Sequence, residues 1–374
     1  MITKKIISNS KVWLEGKAID QFNITAKLPN IKHAVAFPDL HPGKGIPIGA
    51  AFISENMIYP HLIGNDIGCG ISLWQTNLKV HKLKIDKTFK KLSKFDQINI
   101  NENNATKLLN LKNLSHNFFR SALGTIGSGN HFLELTKFEE ICDKDLFNKL
   151  NLNRQNALIL VHCGSRSLGS MVLNKFTNEF GGKGAEINSI EAKNYLNEHN
   201  QACNWATINR KLIAEKTCKI LHCEGKLITD SMHNILKQFN NNLWIHRKGA
   251  SDILENNITI IAGSRGTFSY LVKAKNASLD TAFSIAHGAG RKWQRSEVKQ
   301  RLSAKYKVID LQKTTLNSRI ICNDRQLLYE EAPQAYKNID DVIKTLKDAN
   351  LITVIAKLRP LITYKRGILP NDSK

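Results

Sequence analysis

A strand that stops at a glycine-rich loop recurs at least five times along this chain of 374 residues. Each of these loops carries a His, Cys, Asp or Ser. The instances are IKHAVAFPDLHPGKGIPIGAAFIS (31–54), LIGNDIGCGISLWQT (62–76), GTIGSGNHFLEL (124–135), NALILVHCGSRSLG (156–169) and NNITIIAGSRGTFSYLV (256–272). Apolar runs of that length bounded by glycine turns predict strands. Loops at strand ends are where side chains converge on chemistry. Helical text is confined to the Lys-, Asn-, Ile- and Leu-rich stretch 76–118, whose charges are read as solvating one face, and to 191–221. LITVIAKLRPLITYKRG predicts a last buried strand with Lys365 near its end. Helices do not alternate strictly with strands, so an ordinary doubly wound sheet is not indicated. The expectation is an α+β fold of mixed β-sheets flanked by helices. With no fixed-period repeat and no Gly/Ser- or Pro-rich linker, one integrated domain over 1–374 is expected.

Lys and Arg number 54 against 32 Asp and Glu, a net charge of +22. That excess points to a polyanionic partner, nucleic acid first and an anionic membrane surface second. A hydrophobic content of 42% supports a substantial core and argues against disorder. Seven cysteines at 69, 142, 163, 203, 218, 223 and 322 form no CxxC pair, which fits neither a disulfide framework nor a zinc ribbon. No run of 18 apolar residues occurs, and MITKKIISNSKVWLEG has no apolar stretch followed by a cleavage site. A reducing cytoplasm, away from any membrane, is the expected home.

Five loop residues, Asp66, Cys69, His131, His162 and His233, can bind a divalent transition metal. A thiolate can bridge two ions, and imidazole with carboxylate suits Mn, Zn or Fe. Two ions a few ångströms apart suit phosphate chemistry. The plainer reading makes each histidine a hydrogen-bonded loop residue, and Cys69, between Gly68 and Gly70, a small packing residue. HExxH and Walker A are absent, and GSGNHF and GAGRKW both lack the last glycine of GxGxxG. SIAHGAGRKWQRSE (284–297) sets His287 before Gly288, Ala289 and Gly290, with Arg291 and Arg295 behind. Small residues let a ligand approach, and arginine forks suit phosphate. The pattern is that of a histidine facing a phosphate, or more plainly of a turn with a surface histidine.

NDIGCGI, GTIGSGNHFLE, VHCGSRSLG, MHNIL, HRKGA, AGSRGTFSYLV, HGAGR and EEAPQAYKNID stand in the order seen in the RtcB family of RNA ligases. The chain resembles that family from Asp39 to Lys365. The resemblance implies an RtcB-like fold with a central metal and nucleotide cleft. It implies a ligase joining an RNA 3′-phosphate or 2′,3′-cyclic phosphate end to a 5′-hydroxyl end, with GTP and two Mn²⁺ ions, and we expect it to be monomeric. His287 would be the guanylylated nucleophile, oriented by Asp39. Asp66, Cys69, His131, His162 and His233 would be the manganese ligands, with Cys69 bridging. Asn130 and Asn234 would contact the GMP phosphate, and Phe132 and Glu134 would help hold the nucleotide. Gly263, Ser264, Arg265, Gly266 and Ser269 would form the guanosine-binding turn. Gly288, Ala289 and Gly290 would leave room beside the nucleophile. Tyr336 and Lys365 match guanine-contacting positions.

The chain departs from that pattern at Arg265, where many relatives carry methionine, at Cys163 and Ser167, and at Lys292, Trp293 and Gln294. These changes spare every implied metal ligand and fall on the rim. They suggest a compact bacterial branch serving RNA repair rather than tRNA splicing. Two other readings stand beside the ligase: a catalytically silent RNA- or ribosome-binding protein of the same fold, and a metal-dependent phosphoesterase. His33, His41 and His246 are read as supporting or surface residues, although HRKGA could bring His246, Arg247 and Lys248 to the RNA path. Arg166 either binds a phosphate of the incoming strand or ties down its loop.

Overall fold

The computed structural model describes residues 2–115, 117–255, 257–312 and 314–366. The larger sheet runs, edge to edge, Ile258–Ile261, Ser269–Ala274, Ile352–Arg366, Phe132–Ile141, Asn156–Cys163, Gly70–Lys79 and Gly225–Met232. These strands pair antiparallel, while Arg319–Cys322 branches off in parallel with Ile352–Arg366. The smaller sheet runs Thr3–Ile6, Ile31–Pro42, Pro47–Glu55, Leu243–Lys248 and Asn234–Gln238, with only its first pairing parallel. Ala250–Asp252 and Ser284–Ala286 form a short antiparallel ladder. The fold is therefore α+β with mixed sheets.

Asn156–Cys163 shows how the pattern makes the layers. Successive side chains of a strand point to opposite faces. Ile159 and Val161 pack with Ile213 and Ala214 of the helix Ile190–Leu221. Leu158 and Leu160 pack on the other face with Leu73, Ile260 and Ala356. Both faces are covered, which is why this strand reads as one unbroken apolar run. The helix has 32 residues, about 48 Å of rise. It begins where the Ser189 side chain accepts from the Ala192 N–H, and ends at His222 in the left-handed conformation.

Three local expectations are corrected. The stretch 76–118 is not one helical region: a strand continues to Lys79, and helices occupy only Ile85–Leu92 and Glu102–Leu111. The segment before Asp66 is not a strand, because Pro60–Leu62 forms a 3₁₀ turn opened by its proline. Asp39 and His41 lie inside the strand Ile31–Pro42 rather than in a loop. That strand's register against Pro47–Glu55 slips between Ala36 and His41, a bulge that re-aims the side chains there. Among the described residues no helix is long and apolar enough to cross a membrane.

Candidate active site

The register of the larger sheet assembles the site. Phe132 and Ile71 both pair with His162, and Gly70 pairs with Cys163 on one side and Met232 on the other. Four neighbouring strands thus end along one edge. The residues at or just past those ends are His131, His162, Cys69 and His233. Cys69 Sγ lies 3.3 Å from His131 Nε2 and 3.3 Å from His162 Nε2. His162 Nε2 faces His233 Nε2 at 3.3 Å, and His131 Nε2 lies 2.9 Å from Asp66 Oδ2. Cys69, His162 and His233 form one group able to hold a metal ion, and Asp66, Cys69 and His131 form another. Cys69 belongs to both, so its sulfur is placed to be shared by two ions.

The electrostatics fit cations. Burial holds His162 and His233 well below the ordinary histidine range, helped by His131 near the first and His287 near the second. Their nitrogens are therefore available as neutral ligands. Burial pushes the Cys69 thiol up to about 12, and the Asp66 carboxylate adds to the rise. Burial also works against charge on Asp66 and His131, yet the two hold each other ionised: the carboxyl is lowered and the imidazole raised. A cation here would displace the His131 proton and turn Cys69 to thiolate. Nitrogen, sulfur and carboxylate donors in two overlapping groups fit a transition-metal cofactor.

His287 stands beside this cluster, its ring centroid 4.7 Å from that of His233. Its Nδ1 lies 2.7 Å from Asp39 Oδ2, which also accepts from the His287 backbone N–H at 3.1 Å. Asp39 is fully buried behind the ring, leaving Nε2 as the free nitrogen. The close fit explains Gly290, whose φ is +71° and whose Cβ, if present, would meet the Asp39 carbonyl oxygen at 2.3 Å. Lys337 donates to the carbonyls of Pro38 and Leu40, at 2.9 and 2.6 Å, clamping the backbone on either side of Asp39. Burial lowers its pKa to about 8 although Asp39 opposes the shift. His41, near Asp39, is lowered by burial to about 3.

A cleft of about 1160 Å³ opens over these groups. The five candidate ligands and His287 line it, as do Asn130, Phe132, Glu134, Asn234, Gly263, Ser264, Arg265, Gly288, Ala289, Gly290, Tyr336 and Lys365. Asp39, Gly266 and Ser269 do not line it. Ser269 acts from behind the turn, its hydroxyl accepting from the Gly263 N–H at 3.1 Å. Asn234 ties loops together, donating to the Asp66 carbonyl and accepting from the Gly249 N–H. The far wall centres on Glu331, which meets Arg291, Arg295 and Lys365 and accepts from Tyr336 at 2.5 Å. Burial raises Glu331, but Lys365, Arg291 and Arg295 outweigh it and hold the carboxyl well below its usual range. Burial raises Glu134 to about 7, against the opposing Thr363 hydrogen bond and Lys365. The rim holds Lys292, Trp293 and Gln294. Arg166 also lines the cleft, at φ +60°, with its guanidinium lying over Gly127 and its Nε 3.4 Å from Thr125 Oγ1.

The HRKGA expectation is corrected for two of its residues. His246 is fully buried, and its Nε2 accepts from the Tyr59 N–H at 2.9 Å. Arg247 is fully buried and paired with Asp252 at 3.0 Å. Lys248 does line the cleft, donating to the Ile63 carbonyl at 2.8 Å. Sequence reasoning missed Arg210, which is fully buried in the long helix, paired with Asp230, and donates to the carbonyls of Gly68 and Cys163. It thereby ties together the turns that carry Cys69 and His162. A charged residue in a helical run gives no sign of this in sequence. Glu331 and Lys337 were also missed as site residues, although both sit inside EEAPQAYKNID.

The family model described as tRNA-splicing ligase RtcB matches residues 21–98 and 82–366. The chain is 44% identical to the RNA-splicing ligase RtcB2 of Escherichia coli, over 96% of this chain and 95% of that protein. It is 29% identical to the tRNA-splicing ligase RtcB of Archaeoglobus fulgidus, over 93% of this chain and 91% of that one. It is 28% identical to the tRNA-splicing ligase RtcB of Nanoarchaeum equitans, over 96% and 93%. With the family pattern spanning most of its length and its cleft built on the residues of that pattern, the chain belongs to the RtcB family.

Proposed function

We propose that the protein is an RNA ligase that uses GTP and Mn²⁺ to join RNA 3′-phosphate or 2′,3′-cyclic phosphate ends to 5′-hydroxyl ends. The observation that carries this reading is the pairing of His287 Nδ1 with buried Asp39 beside a double metal-ligand group that shares Cys69. Ions held by Asp66, Cys69, His131, His162 and His233 would neutralise phosphate charge and act as Lewis acids.

The chain's own residues supply the rest. The Asp39 carboxylate fixes the proton on His287 Nδ1, so the Nε2 lone pair is the nucleophile. Nε2 attacks the α-phosphorus of GTP: a P–N bond forms, the bond to the β-phosphate oxygen breaks, and pyrophosphate leaves. Asp39 then balances the positive charge on the substituted imidazole. A cyclic end is first hydrolysed to a 3′-phosphate. An oxygen of that phosphate attacks the guanylyl phosphorus, the P–N bond breaks, and neutral His287 is restored. The 5′-hydroxyl attacks the activated 3′-phosphorus and GMP departs. Asn130 and Asn234 are placed for the guanylate phosphate, and Phe132, Glu134, the Gly263–Ser264–Arg265 turn, Tyr336 and Lys365 for the nucleoside. Arg166, in the cleft wall, suits a phosphate of the incoming strand. The net charge of +22 supports binding of the RNA backbone regardless of sequence.

Incubation with α-labelled GTP and Mn²⁺ tests the reading. An acid-labile protein adduct that is lost in His287→Ala supports the ligase. RNA phosphate release that needs no GTP would favour a phosphoesterase, and RNA binding without either activity a silent binder. For the natural role we propose repair of broken RNA rather than splicing, on the altered rim of Arg265, Ser167, Lys292, Trp293 and Gln294. Sealing of tRNA halves far better than any damaged RNA would refute that assignment.

A further inference from the structure

The turn between the strands Ile258–Ile261 and Ser269–Ala274 sets Arg265 into the cleft wall, 6% exposed. One terminal guanidinium nitrogen donates to the Leu328 carbonyl at 3.1 Å. The Nε and the other terminal nitrogen are buried with no hydrogen-bond partner. Together those two nitrogens carry three N–H donors. Buried donors without acceptors are costly, and a native fold tolerates them where a ligand completes them. Glu331 is the carboxylate that attracts Arg265, but Arg291, Arg295, Lys365 and Tyr336 already engage it. The missing acceptor therefore comes from outside the chain.

Its chemistry can be narrowed. A phosphate drawn to Arg265 would also meet the buried, ionised Glu331. The neutral acceptor edge of a base would not suffer that repulsion. A guanidinium fork matches two adjacent acceptors in one plane, as N7 and O6 of guanine present them, whereas adenine places an amino donor at the second position. We propose that Arg265 is a specificity-determining residue whose Nε and free terminal nitrogen donate to N7 and O6 of the guanine of GTP, selecting it over adenine. This rests on the GTP reading above and adds to it a residue that reads the base.

The test measures the rate of adduct formation on the full-length protein with α-labelled GTP and with its 7-deaza analogue, which lacks the N7 acceptor. The wild type should need about tenfold more of the analogue for half-saturation, at an unchanged maximal rate. Arg265→Met should raise the GTP requirement about tenfold or more and erase the difference between the two nucleotides. Arg265→Lys, which keeps the charge but loses the fork, should resemble Arg265→Met. Equal half-saturation of the wild type by both nucleotides overturns the inference, and that measurement needs no variant to fold. A penalty for the analogue that survives in Arg265→Met overturns it as well. No adduct from either nucleotide would sink the GTP reading and this inference with it, whereas the other two results sink this inference alone.

Discussion

Replacing Asp39 by asparagine should slow guanylylation while leaving GTP binding nearly unchanged. The buried carboxylate accepts from both the Nδ1 and the backbone N–H of His287, at 2.7 and 3.1 Å. The backbone donor is fixed, so it demands an acceptor at the Oδ2 position. Asparagine therefore turns its carbonyl oxygen toward His287. Its amide nitrogen then takes the place of Oδ1, a buried oxygen that has no hydrogen-bond partner. The ring keeps its proton on Nδ1, and what is lost is the negative charge that balances the imidazolium of the adduct. A hydrogen bond to a charged group contributes about 1.5–3 kcal/mol, which is roughly 10- to 150-fold in rate. Single-turnover labelling with α-labelled GTP reads this directly, with half-saturation and maximal rate fitted separately. An unchanged maximal rate would refute the role of Asp39. A loss as complete as in His287→Ala would refute the orientation argument, since it would mean that the amide had reversed and moved the proton to Nε2.

Other outcomes follow from the same geometry. Cys69→Ser removes the ligand common to both groups, so metal bound per chain, measured by equilibrium dialysis and elemental analysis, should fall from two ions to one or none. Undiminished binding would remove Cys69 from the site. Arg210→Met leaves Asp230 without its buried partner and releases the carbonyls of Gly68 and Cys163, which should cost about 3–5 kcal/mol in urea unfolding and weaken metal binding in parallel. Burial lowers His199 to about 4 and His246 to about 3, and both rings accept backbone N–H bonds that require the neutral form. The unfolded chain binds these protons first, so stability is full above about pH 6.5 and is lost as pH falls toward 3–4, by a few kcal/mol for each group. Urea midpoints that stay level across that range would contradict the assignment.

The sequence by itself determined the donor types and the places where they lie. Glycine turns after apolar runs marked strand ends, and His131, His162, His233 and Cys69 stand at such ends because a loop leaves polar side chains free to converge. Eight ordered motifs were enough to indicate the family. Only the tertiary structure decided that four strands end in register along one edge, because register is set by pairings between segments up to about a hundred residues apart and by no local pattern. It also decided which charges are structural. Arg210, Arg247 and Lys337 read as surface cations in a strongly basic chain, and become buried ties only once their carbonyl and carboxylate partners fold over them. The same holds for Asp39, which reads as a loop residue but lies in a bulged strand. Its carboxylate acquires a function only from a histidine 248 positions further along.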